Sequence, residues 1–334
     1  MATGRRYDAI TDVPGIKVGH WTDRRAATGC TVVLCEAGAV GGVDVRGGAP
    51  GTFLSDYLRP GTAATLVNAI VLTGGGIFGL ESVSGVLRWC EERGVGPLFG
   101  GRAVPIVAGA VIFDLNVGRA DVRPDAAAGY AAARAARGGR VAEGSVGAGA
   151  GATVAGLAGP ERRLKGGIGS ASEAAGEGLV VGAIVAVNAV GEIVDSRDGS
   201  VVAGPRGEKG FIDSFEALRR GGSLPAGAST TIGVVATNAQ LSKEQAGRLA
   251  SVSHAGLARA IRPVHTLADG DTIFALATGK RALPAGRGMM LLEAFAALAV
   301  ERAIVKAVLA ATSLAGVPSV SEWRTRTGRI EGQT

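Results

Sequence analysis

Aromatic side chains are scarce in this 334-residue chain, at 4% of the total. The basic residues are scattered, and the densest groups (Arg5-Arg6, Arg24-Arg25, and Arg162-Arg163 with Lys165) carry no interleaved aromatics. A nucleic-acid surface needs a basic stripe or a stacking platform, so no nucleic-acid partner is expected and the net charge of +6 reads as solubility. Cys30, Cys35 and Cys90 are too few and too irregular for a disulfide framework; each reads as a small buried apolar residue in a reducing compartment. His20, His254 and His265 occur without H-E-x-x-H or C-x-x-C, so neither a metal nor another cofactor is expected. A P-loop and the G-x-S-x-G nucleophile elbow are also missing. A long uncharged stretch, residues 60–80, is broken by three glycines and reads as a strand and a turn, with no membrane partner. Residues 1–12 show no signal-peptide core, and the expected compartment is the cytoplasm.

Glycine, by contrast, is abundant at 55 residues, and 47% of the chain is apolar. Such a chain packs its elements closely and turns often, which predicts a layered α/β domain. Residues 8–20 and 28–47 read as short strands, residues 65–72 as an apolar strand, and residues 80–93 and 126–137 as helices. Residues 144–151 form a glycine-dense loop. Part of it, GAGAGA, matches a relaxed dinucleotide fingerprint without a clean strand before it, so close packing or an oxyanion-facing role is expected instead. Residues 179–187 are a strongly apolar strand, with 192–194 as its hairpin partner. A helix opens at Ser242, whose side chain pairs with Gln245 as a capping box; it carries His254, expected at the surface or half-buried. Residues 272–278 form a strand, 289–312 a long helix, and the tail after Ser319 reads as loose. The charged, glycine-rich segment 196–229, with a short helix at 213–220, reads as a long exposed loop within a single domain spanning 1–334.

One junction stands out. The flexible run 221–229 passes directly into the core-strand pattern TTIGVVAT at 230–237. If the loop strains the peptide, the Thr230 hydroxyl can attack the Ser229 carbonyl. The resulting ester hydrolyses and leaves Thr230 with a free α-amine that can act as base for its own hydroxyl. On spacing alone, an ordinary β-branched residue at a strand start is the favoured reading, because such junctions are common. Asp269 and Asp271 precede another apolar strand and read either as a solvated turn or as groups that hold a nucleophile. Asn188, at the end of its apolar strand, is either a turn former or an oxyanion donor.

In combination, these segments resemble the DmpA-like P1 peptidases (peptidase family S58), which include L-aminopeptidase/D-esterases, β-peptidyl aminopeptidases and nylon-oligomer hydrolases. The resemblance rests on ITDVPGIKVGH at 10–20, TGCTVV at 28–33, VRGGAPGT at 45–52, LTGGG at 72–76, GSVGAG at 144–149, KGGIG at 165–169 and TTIGVVAT at 230–237. It implies a four-layer αββα sandwich, shared with ornithine acetyltransferases. It also implies self-cleavage into an α chain, 1–229, and a β chain, 230–334. Thr230 would be the nucleophile, Asn188 an oxyanion contact, Asp269 and Asp271 an acidic pair, Lys165 an active-site lysine, and Tyr130 a residue that helps hold the intermediate. The implied substrate is a short peptide or amide with a free amino end, and the implied assembly a tetramer. Ser229 stands where the pattern has Gly or Asn, and Asn238 where it has Asp. An acyltransferase of the ornithine acetyltransferase type and an uncleaved, non-catalytic protein of the same fold are the alternative readings.

Overall fold

Apolar residues run almost unbroken along most of the long strands, and successive side chains enter different cores. A computed structural model describes residues 6–63, 66–222 and 229–326. Nine strands, β1 (Lys17–Asp23), β2 (Thr28–Val45), β3 (Thr52–Phe53), β4 (Val67–Thr73), β5 (Val107–Val111), β6 (Gly167–Ala174), β7 (Val180–Asn188), β8 (Thr230–Ala239) and β9 (Thr272–Arg281), connect in the order β6-β7-β8-β9-β2-β4-β5-β3, with β1 also on β2. The helices are α1 (Ser82–Glu92), α2 (Ala126–Ala135), α3 (Ser214–Arg219), α4 (Lys243–Ala260), α5 (Gly288–Leu309) and α6 (Val320–Arg326).

β2 explains how nine strands make two layers. Its first half pairs with β1 and β4, and its second half, residues 40–45, with β9. The strand thus leaves one sheet and enters the other. Between the sheets lie Val33, Ile70 and Leu72 from one and Ile184, Ile232, Val234, Phe274 and Leu276 from the other. The intervening residues face outward. Val32, Leu34, Ala69 and Val71 pack under Val83, Val86, Ala128 and Ala132 of α1 and α2. Val185, Val235, Ile273 and Ala275 pack under Leu249, Leu257, Val300 and Ala303 of α4 and α5. The result is the four-layer αββα sandwich: each sheet is covered on both faces, so its strands are apolar throughout and successive side chains serve alternate layers.

Two parallel pairs, β4 with β5 and β8 with β9, are joined through α1 and α4 respectively. The capping box at Ser242 forms, with its hydroxyl accepting from the Gln245 N–H and the Gln245 side chain accepting from the Ser242 N–H. Among the described residues, no helix is long and apolar enough to cross a membrane.

Three local expectations differ from the structure. Glu192–Val194 does not fold back on β7, because β6 and β8 already occupy both edges of that strand; it pairs instead with Val201–Ala203 and Ile261–Arg262. The segments 8–20 and 28–47 are not a series of short strands: a 3-10 turn at Ile10–Asp12 precedes β1, and β2 runs unbroken for 18 residues. The tail after Ser319 is not loose as far as Arg326, since α6 docks through buried Trp323, which stacks on Phe211 at 4.7 Å. Residues 223–228, most of the segment read as flexible, and 327–334 lie outside the described residues.

Small residues set the distance between layers. A Cβ on Gly42 of β2 would lie 2.4 Å from the backbone of α4 at residues 246 and 247, whereas one on Gly138 would meet nothing within 4 Å. Gly42→Ala is therefore expected to lower stability by about 1–3 kcal/mol, an overpacking cost, and Gly138→Ala to change it little. Urea midpoints of the two variants check this.

Candidate active site

The peptide bond between Ser229 and Thr230 lies where β8 begins, and both residues are 4% exposed. Strand pairing fixes its surroundings. On one side Thr230 stands directly opposite Asn188 at the end of β7. On the other, Ser229 bridges in parallel to Asp269, just before β9. The Ser229 carbonyl accepts the backbone N–H of Gly270 at 3.1 Å and the Thr230 hydroxyl at 2.5 Å. An N–H already aimed at this oxygen supports negative charge that gathers there when the carbonyl carbon is attacked. Gly270 has to be glycine, since a Cβ would sit 2.8 Å from Thr230 Oγ1 and 2.6 Å from the Ala49 carbonyl oxygen.

The two carboxylates are buried and hold the turn around this peptide. Asp271 accepts the Thr231 N–H on Oδ1 at 2.7 Å, and on Oδ2 both the His265 N–H at 3.2 Å and His265 Nδ1 at 2.7 Å. Asp269 Oδ2 accepts the backbone N–H and the hydroxyl of Thr266. Burial, reinforced by the neighbouring Asp271, pushes the Asp269 carboxyl up to about 6. Residues 46–49 back the turn: the Ala49 N–H donates to the Asp269 carbonyl, and the Arg46 N–H to that of Asp271. His254, expected at or near the surface, is instead 1% exposed. α4 turns it inward, edge-on to His265 at 4.9 Å, with Nε2 on the Asp44 carbonyl at 3.1 Å.

On the far side of Thr230, Asn188 Oδ1 accepts the Thr153 N–H at 2.9 Å, and Nδ2 donates to the Phe113 carbonyl at 3.1 Å. These partners fix the orientation of the amide and leave a second Nδ2 hydrogen available. Thr153 pairs in turn with Lys165. The Lys165 amine is fully buried and donates to the Ala150 and Ala152 carbonyls, both at 2.7 Å, so the glycine-dense loop 144–151 supplies one of its anchors. Burial pulls this amine down to about 7, against the opposing attraction of Asp114.

Asp114 carried no signal in the sequence. It accepts the Thr28 hydroxyl at 2.8 Å and the Gly75 N–H at 2.6 Å, so the segments 28–33 and 72–76 meet on it. His265 and Thr153 were likewise unmarked in the sequence. Thr230, Ser229, Asn188, Asp269 and Asp271 thus surround one peptide, with Lys165 linked to them through Thr153. Tyr130 is left apart: it lies on α2, donates its hydroxyl to Glu92 at 2.6 Å, and stacks its ring under Arg88 of α1.

Comparison with known proteins puts the chain among hydrolases of amide bonds: residues 8–320 match the model of peptidase family S58. The chain belongs to that family. It is 43% identical to a protein of Mycobacterium leprae named as an uncharacterized aminopeptidase, over 93% of both chains. To a 6-aminohexanoate-oligomer endohydrolase of Paenarthrobacter ureafaciens it is 33% identical, over 86% of this chain and 79% of that one. A solved Burkholderia beta-aminopeptidase superposes with a TM-score of 0.70 at 29% identity, covering 100% of this chain and 97% of the other.

Burial also holds His254 and His20 down to about 4. A buried neutral histidine binds its proton later than the unfolded chain does. Its contribution is therefore complete above about pH 6.5 and is lost as pH falls through 4. His254→Gln removes one such proton, so its stability is expected to fall less steeply than the parent's by about 1.4 kcal/mol per pH unit inside that window. Urea unfolding from pH 7 to pH 4 measures the difference.

Proposed function

We propose that the chain cuts itself once, between Ser229 and Thr230, and that Thr230 then serves as nucleophile on amides bearing a free amino end. The observation that carries this reading is the buried Thr230 hydroxyl, 2.5 Å from the carbonyl oxygen of its own preceding peptide, on a carbonyl already hydrogen-bonded to Gly270.

In the first step Oγ1 adds to the Ser229 carbonyl carbon, the C–N bond breaks, and an ester with a free Thr230 amine results. Water hydrolyses the ester, leaving a carboxylate on Ser229 and an α-amine on Thr230. That amine, with a reference pKa of about 7.7–8.0, then takes the proton of its own hydroxyl when a substrate carbonyl is attacked. Asn188, opposite in register, offers its remaining amide hydrogen to the oxyanion. Lys165 supports proton transfer: above about pH 7 the neutral amine can satisfy its two carbonyl partners with its two hydrogens and keep a lone pair free. Asp269 and Asp271 hold the strand end and place negative charge beside it, which favours both the new ammonium and the ammonium of a substrate. The relatives named above support short peptides and oligomers of amino acids with a spaced amine as the substrate class.

Intact mass and N-terminal sequencing test the reading directly. The wild type is expected to give two chains, the second beginning at Thr230, and Thr230→Ala one whole, inactive chain. An active enzyme that keeps its full mass overturns the proposal. Gly270→Ala is expected to slow splitting by at least about tenfold, because its methyl group falls on the attacking oxygen. In the split enzyme, Asn188→Ala is expected to lower kcat about 10²–10³-fold on an amino-acid p-nitroanilide.

A further inference from the structure

His265 has no part in the chemistry set out above, yet among the described residues it makes two of the three hydrogen bonds to the Asp271 carboxylate. Its backbone N–H and its ring Nδ1 both fall on the same oxygen, Oδ2, at 3.2 and 2.7 Å. The other oxygen is then committed to the Thr231 N–H. An ionised carboxylate only accepts, so the imidazole hydrogen sits on Nδ1. Nε2 is buried with no hydrogen-bond partner among the described residues. Its backbone is left-handed at φ +57, a conformation that costs a non-glycine residue about 1 kcal/mol or more and so needs support from its surroundings.

This clamp matters most once the chain is cut. In the intact chain Thr230 is tied on both sides by peptide bonds. In the split chain it is a terminus, and the nearest fixed points on its own strand are the β7 ladder and the Thr231 amide on Asp271. We propose that His265 is a positioning residue for the nucleophile: by holding one oxygen of Asp271 it aims the other at the Thr231 amide, and with it the strand end that carries Thr230. This inference rests on the reading of Thr230 as nucleophile. A displacement of about 1 Å at a reacting atom costs on the order of 10²-fold in rate, so a loosened Asp271 lowers kcat, while the acidic pair that attracts the substrate ammonium stays in place and KM changes little.

The test compares His265→Asn, whose side-chain amide can donate where Nδ1–H does, with His265→Leu, which cannot donate. On split enzyme and an amino-acid p-nitroanilide, His265→Asn is expected to keep kcat within about threefold, while His265→Leu loses at least about tenfold in kcat with KM changed less than twofold. Nitrogen-15 spectra of the uncleaved Thr230→Ala chain are expected to show His265 as the Nδ1-protonated tautomer, a readout that needs neither splitting nor the leucine variant. Three results overturn the inference: wild-type kcat in His265→Leu, equal losses in both variants (a packing role only), or an Nδ1 that carries no proton. A wild type that never splits removes the nucleophile reading and this inference together, whereas a split, active wild type with an unimpaired His265→Leu removes the inference alone.

Discussion

The hydrogen bond from the Gly270 amide to the Ser229 carbonyl is the contact on which the site depends. It exists because three stretches of backbone come within van der Waals distance at one residue without a side chain: the start of β8, the turn before β9, and the segment at residues 49 and 50. Any Cβ there would push the carbonyl away from its donor and the threonine away from the carbonyl. The segments VRGGAPGT and TTIGVVAT, distant in the sequence, meet at this turn, and the acidic residues 269 and 271 lock it through Thr266, Thr231 and His265.

The site concentrates groups that a core ordinarily rejects. Lys165, Asp114, Asp269 and Asp271 are all nearly or fully buried. Each is tolerated because backbone groups satisfy it: two carbonyls for the lysine, amides of Gly75, Thr266 and Thr231 for the carboxylates. The raised Asp269 and the lowered Lys165 record the cost of leaving water. Tightly packed sheets of Val, Ile and Ala on both sides offset it.

Much of the architecture was legible in the sequence because strands buried on both faces read as continuous apolar runs, and the start of β8 was marked by the sharp change from a glycine-rich run to TTIGVVAT. The hairpin at 192–194 was misread because local patterning does not show that β6 and β8 already flank β7. The inward turn of His254 depends on where α4 crosses β2, which is a tertiary fact. His265 was invisible for a different reason: its role comes from a left-handed backbone that brings one residue's amide and ring to the same oxygen. Spacing alone favoured a turn former at Asn188 and a solvated turn at Asp269 and Asp271; that all three are buried, with Asn188 opposite Thr230 and Ser229 beside Asp269, is a matter of register that spacing does not carry. Tyr130, singled out only through family resemblance, lies among the outer helices with Glu92 and Arg88.

The strand order has a consequence for what a break at this junction would release. β8 and β9 belong to the C-terminal piece, yet they sit in the middle of the strand order, with β7 on one flank and β2 on the other, both from the N-terminal piece. Two ladders, and the packing of α4 and α5 on β2, β6 and β7, would therefore have to come apart before the pieces could part. Severing the backbone there would yield an interlocked pair that travels as one particle through dilution and chromatography and comes apart only when the whole sandwich unfolds.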